Sequence, residues 1–357
     1  MMPRLTDTSK QAVAADADDA TDPVLPIESA GAETIQHPPP APAKKAATKR
    51  PAKAPADDLG FIALDEADEF LNVLWYGREG TGKTTDVAMM ANLDHPGKVL
   101  VVNSEGGLKA SALRRRGVDT SRLILWPTPG DAITFDRLEA LFLKLQADLT
   151  EDPKSWAGVG FDSLTEIHKT LLDDIVQNAV AKAARAGKDR DRFFTDRADY
   201  GVMTEQVRLL VRRFRDLPCH FGITCLERRD QDDDTGKIFY GPALTPALQT
   251  DVLGYVDLVI RTEGDELQTE DGPVTEFTGL TRPQGRYRAK DRFDATPRLL
   301  VDPDFLRIHA YVTGIIDETS DPAQEDSAAR HAAATALAAK QEAEKQARKD
   351  RARGKAA

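Results

Sequence analysis

The chain is most constrained by one stretch, Gly77-Arg78-Glu79-Gly80-Thr81-Gly82-Lys83-Thr84. It fits G-x-x-x-x-G-K-[ST], a backbone arrangement that cradles phosphate. Such a loop works only between a strand and a helix, and the flanks provide both. Leu71 to Tyr76 is short, apolar and bounded by charge, which predicts a buried strand. Thr85 to Ala91 reads as a helix start. The glycines let the chain turn so that successive N–H groups converge on phosphate oxygens. The helix N-terminus adds partial positive charge. Lys83 is expected to reach the β- and γ-phosphates, and the Thr84 hydroxyl to ligate Mg²⁺. Arg78, Glu79, Thr81 and Thr85 complete the expected nucleotide contacts.

The 357 residues allow one large domain plus tails. Residues 1–56 are rich in Ala, Asp, Pro and Thr and lack aromatics, which predicts a disordered tail. It includes a basic tract, Lys44 to Lys53, read as a solubilising tail or an electrostatic contact to nucleic acid. The domain is expected over 57–317. Residues 318–357 are charged and Ala-rich, predicting a tail that is disordered or partly helical with no apolar face to bury. No stretch is long and apolar enough to span a membrane, and the N-terminus has no apolar signal core, so a cytoplasmic protein is expected. Cys219 and Cys225 read as buried thiols. The net charge of −11 argues against a protein that coats nucleic acid with its whole surface, but leaves room for a local basic patch.

From 71 to 227 strand and helix patterns alternate, predicting an α/β fold with a mostly parallel sheet flanked by helices. Val99–Asn103, Arg122–Trp126, Gly158–Asp162 and His220–Leu226 are the further strands of this alternation. Val252 to Arg261 reads as another strand, and Gly285 to Arg292 as a short polar strand or hairpin arm at an antiparallel edge. In such a sheet ligands sit at the carboxyl ends of the strands, where Glu105, Asp162 and Glu227 all fall.

Asp162 ends an apolar strand, so its carboxylate can stand beside Thr84 and hold Mg²⁺; the alternative is an N-cap for the helix that follows. Glu105 ends another strand and is followed by two glycines, which suits a carboxylate that polarises the attacking water, as against a solvated loop acid. Thr224 and Glu227 are candidate sensors of the γ-phosphate, as against ordinary strand-end polarity. Lys290 and Arg292 are candidate cations for a neighbouring subunit's nucleotide, as against surface solvation. Phe193 and Phe194 lie among Arg190, Arg192 and Arg197, a mixture that suits single-stranded DNA or, equally, a packed pair on a solvated segment.

The order of these features resembles the RecA-like recombinase ATPases: phosphate loop, strand-end Glu105, Gly117-Val118-Asp119, Leu123 to Pro127, Asp162-Ser163, then Ala289-Lys290-Asp291-Arg292. It is similar in particular to core-only bacteriophage members associated with annealing and recombination. The resemblance covers about 65 to 316. It implies ATP and Mg²⁺ as cofactors, with Gly77, Gly80, Gly82, Lys83 and Thr84 binding them. It implies Glu105 as the catalytic glutamate and Asp162 as the acid on the metal side. It further implies ring or filament assembly with ATP at subunit interfaces, and mobile loops on single-stranded DNA, here Gly187–Asp199 and Glu227–Gly241. A phage single-strand-binding or replication partner and a host-cytoplasm location follow from the same resemblance. The acids Asp230, Asp232, Asp233 and Asp234 depart from this pattern, since they would repel phosphates. A small-molecule kinase with Gly187–Arg197 as a lid, a nucleotide-gated assembly protein and a packaging motor are the other readings of the same loop.

Overall fold

A computed structural model describes residues 62–231, 236–270 and 272–354. The compact unit begins at Ala63. Its sheet carries β1 (Asn72–Gly77), β2 (Lys98–Asn103), β3 (Leu123–Trp126), β4 (Trp156–Asp162) and β5 (His220–Gln231). These are followed by β6 (Ile238–Pro242), β7 (Leu258–Thr269), β8 (Gly272–Leu280), β9 (Lys290–Asp291) and β10 (Leu299–Val301). The strand order is β10-β8-β7-β1-β5-β4-β2-β3, with β6 on β5 and β9 on β7. Strands β7, β1, β5, β4, β2 and β3 run parallel, while β8, β10, β6 and β9 add antiparallel partners. The expected α/β architecture, a mostly parallel sheet with an antiparallel edge, is the one observed.

The helices are α1 (Lys83–Ala88), α2 (Ala110–Arg115), α3 (Phe135–Glu151), α4 (Leu164–Arg185), α5 (Arg197–Arg215), α6 (Pro246–Tyr255), α7 (Phe305–Val312) and α8 (Pro322–Gly354). Side chains alternate across β1, as a pleated strand requires. Leu74 and Tyr76 join a core with Leu138 and Leu145 of α3, Ile167 and Leu171 of α4, Phe214 of α5 and Val252 of α6. Val73 and Trp75 join the opposite core with Val87 of α1, Met90, and Phe305 and Ile308 of α7. Both faces of β1 are therefore buried. This is why its sequence is a continuous apolar run rather than an alternation.

Residues 62–69 are exposed and lie outside the core. One expectation changes. Val252 to Tyr255 belongs to helix α6, not to a strand, and β7 starts at Leu258. Pro246 opens that helix, where a missing N–H costs nothing. The basic tract Lys44–Lys53 lies outside the described residues, as do Asp232, Asp233 and Asp234. The start of α8 is not bare: its Ser327, Arg330 and His331 all bond the buried carboxylate of Glu276 in β8. This contact is polar, made by three side chains on one buried carboxylate.

Candidate nucleotide site

The loop leaves β1 at Gly77 and enters α1 at Lys83, as the pattern requires. Gly77 has no room for a side chain: a Cβ there would stand 2.4 Å from the Thr262 carbonyl oxygen. Gly80 and Gly82 take φ of 78° and 91°, conformations that only glycine adopts cheaply. Thr81 Oγ1 pairs with Thr262 Oγ1 at 2.8 Å, so β7 braces the loop from one side. Lys83 is buried; its ammonium donates to the Gly77 carbonyl at 3.0 Å and the Arg78 carbonyl at 2.5 Å. Burial lowers its pKa, while the nearby Glu105 and Asp162 carboxylates oppose that shift. Arg78 and Glu79 are exposed, and Thr85 occupies the first turn of α1.

Strand β5 intervenes between β1 and β4, yet Asp162 reaches the loop. Thr84 Oγ1 donates to Asp162 at 3.0 and 3.1 Å, and Thr224 of β5 donates to the same carboxylate at 2.6 Å. Asp162 is only 2 % exposed, and burial raises its pKa against the pull of both hydroxyls. The N-cap of α4 is Ser163, not Asp162, because the Ser163 side chain accepts from the Glu166 N–H. That leaves the Asp162 carboxylate aimed at the loop. Ser163 also donates to Glu105 Oε1, and Ser104 Oγ accepts from the Ser163 N–H at 2.9 Å. Thr84 and Thr224 thus hold the Asp162 carboxylate, Ser163 holds Glu105, and the two sets are joined by the Asp162–Ser163 peptide bond and by the Ser104 and Glu105 N–H groups on the Asp162 carbonyl. Sequence reading paired Glu105 with Asp162 but had no signal that Thr224 orients the acid, since that contact depends on the order of the strands.

Glu227 does not join this chain. It is held by Arg261 at 2.7 Å, and Arg78 lies 3.8 Å away. Arg261 is itself buried, bonds Glu263 and sits over the Tyr287 ring at 3.8 Å. Lys290 and Arg292 stand at the opposite end of the sheet. Lys290 pairs with Val259 in the first residues of β7, and its ammonium donates to the Leu253 and Val256 carbonyls at the end of α6. Arg292 bonds Asp257 at 2.7 Å. Within one chain neither reaches the phosphate loop.

The Gly187–Asp199 segment joins α4 to α5. Helix α4 is 22 residues long, about 33 Å, so this segment is carried far from Asp162. Arg190 is tied to Asp196 and Asp199, which also form the capping box of α5. Arg192 lies over Phe193 at 4.7 Å, and Arg197 opens α5. Phe193 and Phe194 are 82 % and 63 % exposed, so they are not a packed pair. Next to the loop, the Tyr76 hydroxyl donates its one proton to the Arg288 carbonyl, with the Tyr240 carbonyl 3.3 Å away as the second, weaker acceptor. Both cysteines are buried, and burial pushes their thiols up to about 12, so neither is a nucleophile here.

A glycine loop between strand and helix, with a buried acid bonded to its last hydroxyl, defines a P-loop α/β nucleotide-binding domain. The chain belongs to the AAA domain family, whose model matches residues 69–293. Among solved structures, the crystal structure of the RadB recombinase aligns at 18% identity and a TM-score of 0.36, over 60% of this chain and 84% of that one. No curated protein matches the chain. Among the described residues no helix is long and apolar enough to cross a membrane.

Proposed function

We propose that the protein is a RecA-like ATPase that hydrolyses ATP and couples turnover to single-stranded DNA. The observation that carries this reading is the pair of consecutive residues Asp162 and Ser163, of which the first is bonded to Thr84 and the second to Glu105. It joins a phosphate loop to a carboxylate suited to activating water. The loop N–H groups and Lys83 hold the phosphates. Ser163 fixes one oxygen of Glu105 and leaves the other to take a proton from the attacking water. Thr224 holds Asp162 in register with Thr84.

The Thr84 hydroxyl and the Asp162 carboxylate form an oxygen-only donor set that fits Mg²⁺. When bound, that ion would neutralise charge across the β- and γ-phosphates. The long separation between Asp162 and Gly187–Asp199 disfavours a kinase lid. The exposed Phe193 and Phe194 beside Arg192 support a strand-binding role for that segment. Ring or filament assembly, with Lys290 and Arg292 serving a neighbour, belongs to the same proposal, as do an origin in a phage and work in annealing, recombination or replication. So does the division into a tail over 1–56, a domain over 57–317 and a second tail over 318–357.

The test is steady-state ATPase activity with and without single-stranded DNA, beside a size measurement with ATP. Stimulation by DNA supports the reading. Turnover that ignores DNA, with no DNA binding at low salt, overturns its nucleic-acid half.

A further inference from the structure

A cavity of about 210 Å³ adjoins the phosphate loop along the flank of α1. It shares Gly82 and Thr85 with the loop and is otherwise lined by Asp86, Met89, Phe277, Asp302 and Asp304, with Arg116 and Arg307 at its wall. Phe277 belongs to β8 and Asp302 follows β10, so the cavity lies across β1 from Asp162 and β4. Asp162 and Glu105 thus stand on one side of the loop and this cavity on the other.

The lining is wrong for phosphate and right for a nucleoside. Three acids crowd the lining, and burial raises the pKa of each, so they offer hydrogen-bonding groups and no attraction for a phosphoryl group. Asp86 is 6 % exposed, and its Oδ2 has no hydrogen-bond partner among the described residues. A buried acceptor of this kind calls for a donor. Phe277 offers a ring face, with the Arg116 guanidinium 4.8 Å from its centroid. Aromatic faces and guanidinium planes are what planar bases stack on.

We propose that this cavity receives the nucleoside half of the nucleotide, with Asp86 accepting a hydrogen bond from it and Phe277 covering one face of the base. The inference rests on the phosphate loop being a nucleotide site. The donor is an N–H or O–H group, supplied by a base amine or a ribose hydroxyl. Asp302, Asp304 and Arg307 lie beyond residue 293, so part of this pocket comes from chain outside the segment that matches the family.

The experiment is calorimetric titration of the full chain with Mg²⁺ and four ligands: ATP, inorganic tripolyphosphate, purine riboside triphosphate, which lacks the amine, and 2′-deoxyATP. Tripolyphosphate is expected to bind at least about tenfold more weakly than ATP, and one of the two analogues to lose about tenfold. The analogue that loses identifies the donor. Asp86→Leu should erase that one difference and leave tripolyphosphate affinity unchanged. Phe277→Ala, at a half-buried position, should shrink the margin of ATP over tripolyphosphate even if Asp86→Leu does not fold. Equal binding of ATP and tripolyphosphate, or discrimination that survives in both variants, overturns the proposal while the phosphate-loop reading stands. Failure of both ATP and tripolyphosphate to bind overturns the phosphate-loop reading itself.

Discussion

The two ends of the parallel sheet bury polar groups to different effect. At the amino end the charged and imidazole groups find their partners in the same chain, while the Asn72 Oδ1 and Ser155 Oγ have none among the described residues. Asp257 accepts from the Asn72 N–H at 3.1 Å, the Asn72 amide at 2.9 Å and Arg292 at 2.7 Å. His220 accepts from the Leu71 N–H at 3.0 Å, and Lys290 closes the end of α6. At the carboxyl end Lys83 spends its three N–H groups on the loop itself, and the acids keep acceptor capacity to spare. Lys83 bonds carbonyls of its own loop, Ser163 fixes one oxygen of Glu105, and one oxygen of Asp86 lacks a partner among the described residues. Saturated polar groups hold strands in register, while incompletely satisfied ones grouped around a glycine loop can bind a ligand. Substitutions at the two ends should therefore fail in different measurements.

The largest effect is expected for Lys83→Ala, which should lower ATP turnover by about a thousandfold through loss of charge at the phosphates. Glu105→Gln should cost about a hundredfold in turnover while ATP affinity stays within about twofold, as equilibrium binding would read. Normal turnover in Glu105→Gln would remove that residue from the reaction.

The amino end should respond in stability instead. His220 packs against Phe70, Phe305 and His309. Burial, then the His309 and His95 rings, pushes its pKa down to about 4. The folded state thus binds fewer protons than the unfolded one below the usual histidine range. The stability this group contributes is complete above pH 6.5 and is lost as pH falls toward 4. Chemical denaturation at pH 7 and pH 5 should differ by about 2 kcal/mol from this group, and His220→Gln should remove that difference. The smallest effect is expected for Lys290→Met, about 1 kcal/mol for a cation at a helix C-terminus. Unchanged stability with a fall in the turnover of assembled protein would assign Lys290 to a neighbour's site instead.

Legibility in the sequence followed the range of the interactions. The phosphate loop, its strand and its helix are written within twenty consecutive residues, so local pattern sufficed. The Asp162 strand was readable because it is apolar on both faces and ends in an acid. Helix α6 was missed because Gly254 and an apolar run toward Arg261 hide the boundary at Val256. The uses of Lys290, Arg292 and Thr224 depend on which strands are neighbours, and no local spacing encodes that. Asp86 reads as an ordinary acid in a first helical turn. Its burial depends on Asp302 and Asp304, more than two hundred residues away.

Tyr76 gives the sheet a mechanical property. It immediately precedes Gly77, and its hydroxyl fastens both the β6 arm at Tyr240 and the segment at Arg288. These pieces come from three separate parts of the chain, and a single phenol acts as their common rivet. A load that displaces the β5–β6 arm is passed directly to the root of the phosphate loop. The phenol thus adds a side-chain tie to the backbone pairing of β1 with β5, and Tyr76→Phe would remove that tie without altering a single group on the phosphates.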